Sequence, residues 1–492
     1  MDVFSFNRSD LTLVLPQVQL ALFGLGILLM DLLLEPHQKR WNAVTAMLGV
    51  GFSGYALWRV HDAMLRRNAE SFTGFNGSIL VDPFFIFFGF LFLASTALVI
   101  MLSVRYLEIE TEHHGEYYAL LLFAAVGMMF MACGLDMIVL FLGLETMALS
   151  FYVLVGFLRN DRRSNEAALK YLLLGAFSTG LLAYGFSILY GLGRATNLFE
   201  ITAALASRPQ GDLLVLLALV TVSAGMFFKV AAVPFHQWAP DVYEGAPTSI
   251  TAYVSVASKA ASFAMLLRIF LTMFWRLRPD WEPLLLVVAV ATMTIGNLAA
   301  ITQTNVKRLL AYSSIAHVGY ILLGLVAANA TGFKGVAFYL LAYAFMNTGA
   351  FAVVIVLRRQ GVIGDDIEDM NGLSSRNPAA AALMLIFLLS LAGIPPTAGF
   401  MGKYFIFLAL IESKHYVLAV LAVLYILPAV FYYLRIVQHM YMREATDPAR
   451  PSISLGQGAA LAVTAFVTII ACVYAEPFVK LAAYSLFLPI GP

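Results

Sequence analysis

Seven ionisable side chains fall where the surrounding sequence is least able to solvate them. Lys170, Lys229, Lys259, Arg268, Lys403 and Arg435 lie within long apolar runs, and Glu145 is centred in Leu-Phe-Leu-Gly-Leu-Glu-Thr-Met-Ala-Leu. A charged residue at the centre of a membrane helix costs about 2.5–3.5 kcal/mol on insertion scales, and such residues mark ion paths and proton relays. Lys229, Lys259 and Lys403 are deep, with a static ion pair as the alternative to a functional role. Lys170, Arg268 and Arg435 lie within about two turns of a run's end, where a long side chain can snorkel. His317, in Ser-Ser-Ile-Ala-His-Val-Gly-Tyr, is also mid-run; its bland reading is a hydrogen-bonded core histidine. His236 follows Lys229 by about two helical turns, with Pro234 between them. Burial favours the neutral form of a lysine and a nearby carboxylate restores the ammonium. That chemistry suits a proton relay. It suits hydrolysis poorly, because no nucleophile, base and orienter come together in the sequence.

The composition explains what must position these groups. Of 492 residues, 61% are hydrophobic and 12% charged, against about 25% charged in a soluble domain. Mean hydropathy is +0.84. A water-soluble enzyme, a disordered chain and a disulfide scaffold are excluded, and a net charge of +1 leaves no footprint for nucleic acid. Cys133 and Cys472 stand apart, with no zinc or iron–sulfur spacing, so no metal or redox centre is expected on this chain. The first apolar run, Leu11 to Leu34, is too long for a signal-peptide core and reads as a retained span.

At about 20 apolar residues per crossing, fourteen spans are predicted: 11–34, 41–59, 80–104, 117–133, 135–157, 167–192, 213–238, 248–275, 283–303, 307–328, 333–357, 379–411, 416–441 and 456–476. The fold class is therefore an all-α integral membrane protein. The seventh span is interrupted by Pro234 and the twelfth by Pro395 and Pro396. Paired interruptions in matching positions point to inverted repeats, although two unrelated kinks would also give them. The division that follows is 1–115 for helices 1–3, 116–275 for a first repeat (helices 4–8), 276–441 for a second (helices 9–13), and 442–492 for helix 14. Loop Lys and Arg number thirteen on the face opposite the N-terminus, including Lys307, Arg359 and Arg450, and eleven on the N-terminal face. The positive-inside bias leans towards both termini outside. Three weaker patterns are set aside. Gly49-Val-Gly-Phe-Ser-Gly54 is read as helix packing, and Glu108–Glu116 and Asp365–Asp369 as hydrated acidic loops.

From Lys229 to Thr248 the sequence reads Lys-Val-Ala-Ala-Val-Pro-Phe-His-Gln-Trp-Ala-Pro-Asp-Val-Tyr-Glu-Gly-Ala-Pro-Thr. This resembles the antiporter-like membrane subunits of respiratory complex I, and Asp-Val-Tyr-Glu-Gly-Ala-Pro is nearer the N-type than the L- or M-type members. Glu166–Ala176, Asn305–His317 and Leu391–Lys403 carry the same resemblance, which extends over nearly the whole chain. It implies fourteen helices with two inverted five-helix repeats. It also implies a place in a proton-pumping NADH:quinone oxidoreductase, with NADH, FMN and iron–sulfur clusters held by partner subunits. The implied partners are other membrane-arm subunits, the lipid bilayer and protons, and the implied location is a bacterial inner membrane with both termini periplasmic. The family's relay positions fall on Glu145, Lys229, Lys259 and Lys403, the last a lysine as in N-type members; Glu116, Lys170 and His236 match further family positions. The chain ends soon after span 14, without the lateral helix of L-type members. A cation/proton antiporter driven by an ion gradient and a purely structural scaffold are the competing functions.

Overall fold

In the computed structural model, residues 8–110, 112, 115–209, 211–358, 364–445 and 451–485 are described. Arg359 and Arg450, named in the sequence reading, lie outside them, as do residues 111, 113 and 114 of the acidic loop Glu108–Glu116.

The long helices begin where short polar side chains can take the first free backbone N–H groups. Asp82 accepts from Phe85, Asp136 from Ile138, Asp161 from Arg163, Asp212 from Leu214 and Asn305 from Arg308, each the N-terminal cap of a membrane-length helix or segment. We label the membrane-length helices and their broken segments in chain order. These are α1 (Leu15–Asp31), α2 (Trp41–Arg66), α3 (Pro83–Ile109), α4 (Gly115–Cys133), α5 (Met137–Val155), α6 (Arg162–Gly193), α7 (Leu213–Val230), α8 (Trp238–Gly245), α9 (Thr248–Met273), α10 (Arg278–Ile301), α11 (Val306–Ala327), α12 (Ala330–Leu357), α13 (Pro378–Ala392), α14 (Ala398–Glu412), α15 (Tyr416–Met442) and α16 (Leu455–Val473). Among the described residues, eleven helices have the length and apolarity to cross a membrane. A short helix at Leu198–Ala206 and a hairpin pairing Phe72–Gly74 with Ile79–Val81 were not expected from hydropathy. Gly49 lies inside α2, where a Cβ would press on Phe23 at 2.8 Å, as the helix-packing reading requires.

The centre of the molecule is built from α9, α11 and α12, whose side chains are buried almost all round. A helix apolar on every face belongs in such a position. Around it, α4 packs on α5 as α10 packs on α11, and α6 on α7 as α12 on α13 and α14. Two short backbone ladders repeat as well. Leu135–Met137 pairs with Thr196–Leu198, and Thr304–Val306 pairs with Asp365–Ile367.

Four side chains depart from the sequence reading. Arg268 does not snorkel. It is fully buried, grips both oxygens of Asp82 at 2.6 and 3.0 Å, donates to the Ala132 carbonyl at 2.7 Å and lies over the Phe84 ring. One ion pair thus joins the start of α3, the end of α4 and the end of α9. Arg435 likewise turns inward to the Ile301 and Gln303 carbonyls at the end of α10. Lys307, counted among loop cations, is buried, donates to the carbonyls of Glu244 and Ala246 at the end of α8, and faces Asp365 at 3.6 Å. Asp365 is accordingly not a hydrated loop residue. Burial pushes its carboxyl above the ordinary value, and Lys307 and Arg358 draw it back.

Removing one partner of a buried ion pair strands the other charge, a loss of about 3–5 kcal/mol. Arg268→Met should therefore lower the thermal midpoint of the solubilised protein sharply, and adding Asp82→Asn should recover part of the loss. Equal midpoints for wild type and Arg268→Met would show that the pair carries no stability.

Candidate functional site

The site is organised by two interrupted helices. α7 ends as Ala231 turns left-handed (φ +60°), and α13 ends the same way at Gly393 (φ +84°). The closing bonds match: Ala231 N to Phe228 O and Ala232 N to Phe227 O in the first, Gly393 N to Ser390 O and Ile394 N to Leu389 O in the second. Pro234 and Pro396 then stand at corresponding places, unable to donate a helical bond. Peptide groups freed in an apolar interior need partners, and the chain supplies them. The Trp238 indole donates to Phe228 O at 2.9 Å and Thr292 accepts from Val233 N at 3.0 Å. In the second break the Lys403 ammonium donates to Ala392 O at 2.7 Å and Leu391 O at 3.2 Å.

Lys229 occupies the last turn of α7. Its Nζ is buried with no hydrogen-bond partner among the described residues, 5.9 Å from the ring centres of Tyr152 and Phe228. Glu145, half-buried on α5, is within electrostatic reach of Lys229 but not ion-paired with it; its carboxylate accepts from Thr179 Oγ1 at 2.9 Å. Rings lead onward from Tyr152 to Tyr171 (4.9 Å), Trp238 (4.7 Å) and Tyr243 (6.4 Å). Lys259 lies over Tyr243 at 5.6 Å and donates to Ser314 Oγ. It directly follows a π-helical turn, Val254–Ser258, an irregularity that recurs at functional sites.

From Ser314 a polar row continues. Tyr343 donates to Ser314 at 2.7 Å and its ring packs on His317 at 5.2 Å. His317 Nδ1 is 2.6 Å from the Tyr339 hydroxyl, and Nε2 is 3.2 Å from that of Tyr433. Tyr339 stacks on Tyr320, and Lys403 sits 4.9 Å above the Tyr320 ring. Hydroxyl, imidazole and ammonium groups are all able to pass a proton. Lys229, Lys259, His317 and Lys403 thus lie in one buried row, with Glu145 at its edge.

The remaining expected residues are peripheral. Lys170 pairs with Asp241 (2.7 Å) and Glu166 (2.9 Å), and Arg308 pairs with Asp241 and Glu244. This cluster rims a polar recess of about 220 Å³ between α6, α8 and α11, so Lys170 is a surface ion-pair residue rather than a snorkelling one. His236 is half-buried in the first break, and Glu116 is exposed on the first turn of α4. Sequence reasoning missed Ser314, Tyr339, Tyr343 and Tyr433. Hydroxyl or imidazole residues three or four apart within apolar helices, such as Ser314 before His317 and Tyr339 before Tyr343, were the available signal. Among the described residues no group of three or more His, Cys, Asp and Glu could hold a metal ion.

These features have counterparts elsewhere. A family profile described as "NADH:quinone oxidoreductase/Mrp antiporter, TM" matches residues 134–427. The sequence is 56% identical over 485 residues to NADH-quinone oxidoreductase subunit N 2 of Solibacter usitatus, covering 98% of each chain. A chain of respiratory complex I from Thermus thermophilus with bound aureothin superposes with a TM-score of 0.80 at 30% identity, over 95% of this chain and 99% of that one. A chain of the Mrp complex from Dietzia shares the fold, with a TM-score of 0.80 at 21% identity over 96% and 97% of the two chains.

Close packing at the second break is directly testable. A Cβ on Gly399 would overlap the Ser390 carbonyl, whereas one on Gly180 meets nothing within 4 Å. Gly399→Ala should cost about 1–3 kcal/mol through overpacking, read as a lower thermal midpoint, and Gly180→Ala should not. Equal midpoints would mean that the two segments are not held at this distance.

Proposed function

The chain belongs to the subunit N family of NADH-quinone oxidoreductase, and we propose that it moves protons along the buried row from Lys229 through Lys259 and His317 to Lys403, with Glu145 setting the charge of Lys229. It is a membrane-arm subunit of complex I, a multi-pass protein of a bacterial inner membrane. In our reading, NADH, FMN, iron–sulfur clusters and quinone are handled by partner subunits, and both termini face the periplasm. The observation that carries the relay is the run of proton-bearing groups through the most buried helices, from Lys259 through Ser314, Tyr343, His317 and Tyr339 to Lys403.

We read the architecture as fourteen membrane helices with two inverted five-helix repeats, 116–275 and 276–441. The matching closures of α7 and α13 and the paired ladders support this division. The Mrp likeness is one of fold and is compatible with a gradient-driven antiporter. Identity over the whole chain favours the redox-driven complex. Purification together with flavin- and iron–sulfur-containing partners would be the expected result, and purification without them would support the antiporter.

Charge exchange is the working step. An approaching carboxylate favours an ammonium, and a departing one favours the amine. With Glu145 held by Thr179 and Lys229 unpartnered, the pair is open here, and its closing and opening would load and release a proton towards Lys259. Glu116, Lys170 and His236 would serve at the margins, between bulk water or neighbouring subunits and the row. The redox reaction elsewhere would bias the two states.

Glu145→Gln should lower quinone-dependent NADH oxidation and proton pumping together by roughly tenfold, equivalent to about 1.4 kcal/mol, in complexes that assemble normally. Unchanged coupled activity would remove Glu145 from the mechanism. Adding Lys229→Met should lose little more than the worse single variant, because groups acting as a unit are non-additive; multiplying losses would show that they act independently. Lys403→Arg keeps the charge but does not readily release a proton. It should assemble and fail to pump if titration matters, and normal pumping would leave only a need for charge.

A further inference from the structure

A groove of about 700 Å³ opens between the start of α2, the end of α3 and the start of α16. It shares no residue with the proton row. Its walls are apolar, with Met47 and Leu48 on one side and Ile100 and Val104 on the other. Its rim is charged. Arg40 reaches Glu108 at 2.8 Å and Arg105 reaches the same carboxylate at 3.1 Å. Two guanidiniums thus share one carboxylate, leaving one unit of positive charge and several N–H donors at the mouth. Both arginines remain largely exposed, while Glu108 is mostly covered.

The depth of this mouth is marked by Trp41, which is exposed beside Arg40. Exposed tryptophans in membrane proteins sit at headgroup level. Below it Leu48 is half exposed, facing the direction in which acyl chains run. The backbones also close the floor tightly, since a Cβ on Gly456 would fall 2.8 Å from the Met101 carbonyl. The groove therefore continues along the membrane normal, polar at one end and apolar at the other.

We propose that this groove is a binding site for one anionic phospholipid, its phosphate held by Arg40 and Arg105 and one acyl chain laid along Leu48, Met47, Ile100 and Val104. Arginine suits the headgroup because its planar fork matches two phosphate oxygens, and basic pockets between membrane helices bind anionic headgroups in general. A phosphate arriving at the rim would compete with Glu108 for the guanidinium donors and balance the surplus positive charge. The acyl chain leaves one hydrocarbon surrounding for another, so its contribution is close packing and the headgroup contacts carry the preference. The lipid would bridge the neighbouring helices α2 and α3 to the start of α16, which is far from both in the sequence.

The test uses the protein in the assembly with which it purifies. That assembly is extracted in mild detergent and washed, and the lipids it retains are measured by mass spectrometry. Wild type should keep phosphatidylglycerol or cardiolipin in excess over phosphatidylethanolamine. Arg40→Gln with Arg105→Gln should lower the retained anionic lipid at least threefold. Met47→Trp, which fills the apolar part and leaves both arginines, should lower it as well. Normal NADH oxidation by both variants would show that they are assembled; if the arginine pair compromises assembly, Met47→Trp decides alone. Undiminished anionic lipid in the filled variant, equal retention of phosphatidylethanolamine by wild type, or a structure of the assembly with a neighbouring subunit seated in the groove would each overturn the proposal.

Discussion

A peptide group released inside hydrocarbon must find a partner within the protein, and the two helix interruptions are where this chain accepts that constraint. Each interruption releases carbonyls at the end of one segment and N–H groups at the start of the next. The partners differ. The first break is closed by an indole and a threonine, and among the described residues Lys229 is left without a hydrogen bond. The second is closed by the ammonium of Lys403 itself. A lysine near a helix end also feels the partial negative charge of the terminal carbonyls. In the proposed relay the first lysine would thereby be open to control by a distant carboxylate, while the second is held by its own backbone surroundings.

The breaks could be located from sequence because proline and glycine act locally. Pro234, Pro395 and Pro396 interrupt a helix whatever surrounds them, and apolar length alone places most spans. Depth was also legible: Lys229, Lys259, His317 and Lys403 are central in the sequence and buried in the structure. Azimuth was not. Which neighbour a side chain faces depends on helices far away in the chain, and Asp82 and Arg268 meet across 186 residues. Arg268 therefore looked like an end-of-span cation although it is an internal tie. Lys307 and Asp365 were misread for the same reason, since a charged residue beside a loop gives no sign that the end of α8 folds over it. The hydroxyls beside His317 escaped attention because Ser and Tyr carry no insertion cost comparable to a charge.

Aligning the breaks by their closing bonds exposes an asymmetry that composition hides. With Ala231 set against Gly393 and Pro234 against Pro396, Lys229 corresponds to Leu391 and Lys403 corresponds to Asp241. The two lysines are therefore not equivalents. The first precedes its break and the second follows it. Gly393 fits this difference, since a Cβ there would fall 2.8 Å from Lys403 Cδ, whereas the first break tolerates Ala231 at the same turn. In the first half the position after the break carries Asp241, which is tied into the ion pairs with Lys170 and Arg308.

This asymmetry bears on how a proton could move in one direction. A row of similar groups in similar surroundings has no preferred sense, and any transfer along it would reverse as readily as it ran. Here the ends differ in kind. Lys229 has no hydrogen-bond partner among the described residues and lies within reach of Glu145, so in the proposed relay its charge would follow where that carboxylate stands. Lys403 has two carbonyls that solvate the ammonium but cannot accept its proton. Between them, His317 has hydroxyl partners on both ring nitrogens, so either tautomer is served and the ring imposes no direction of its own. The geometry therefore separates a controllable end from a holding end. It does not supply the drive, because no fixed arrangement of charges can do repeated work. That must come from outside the chain, as the proposed coupling to a redox reaction in partner subunits would supply.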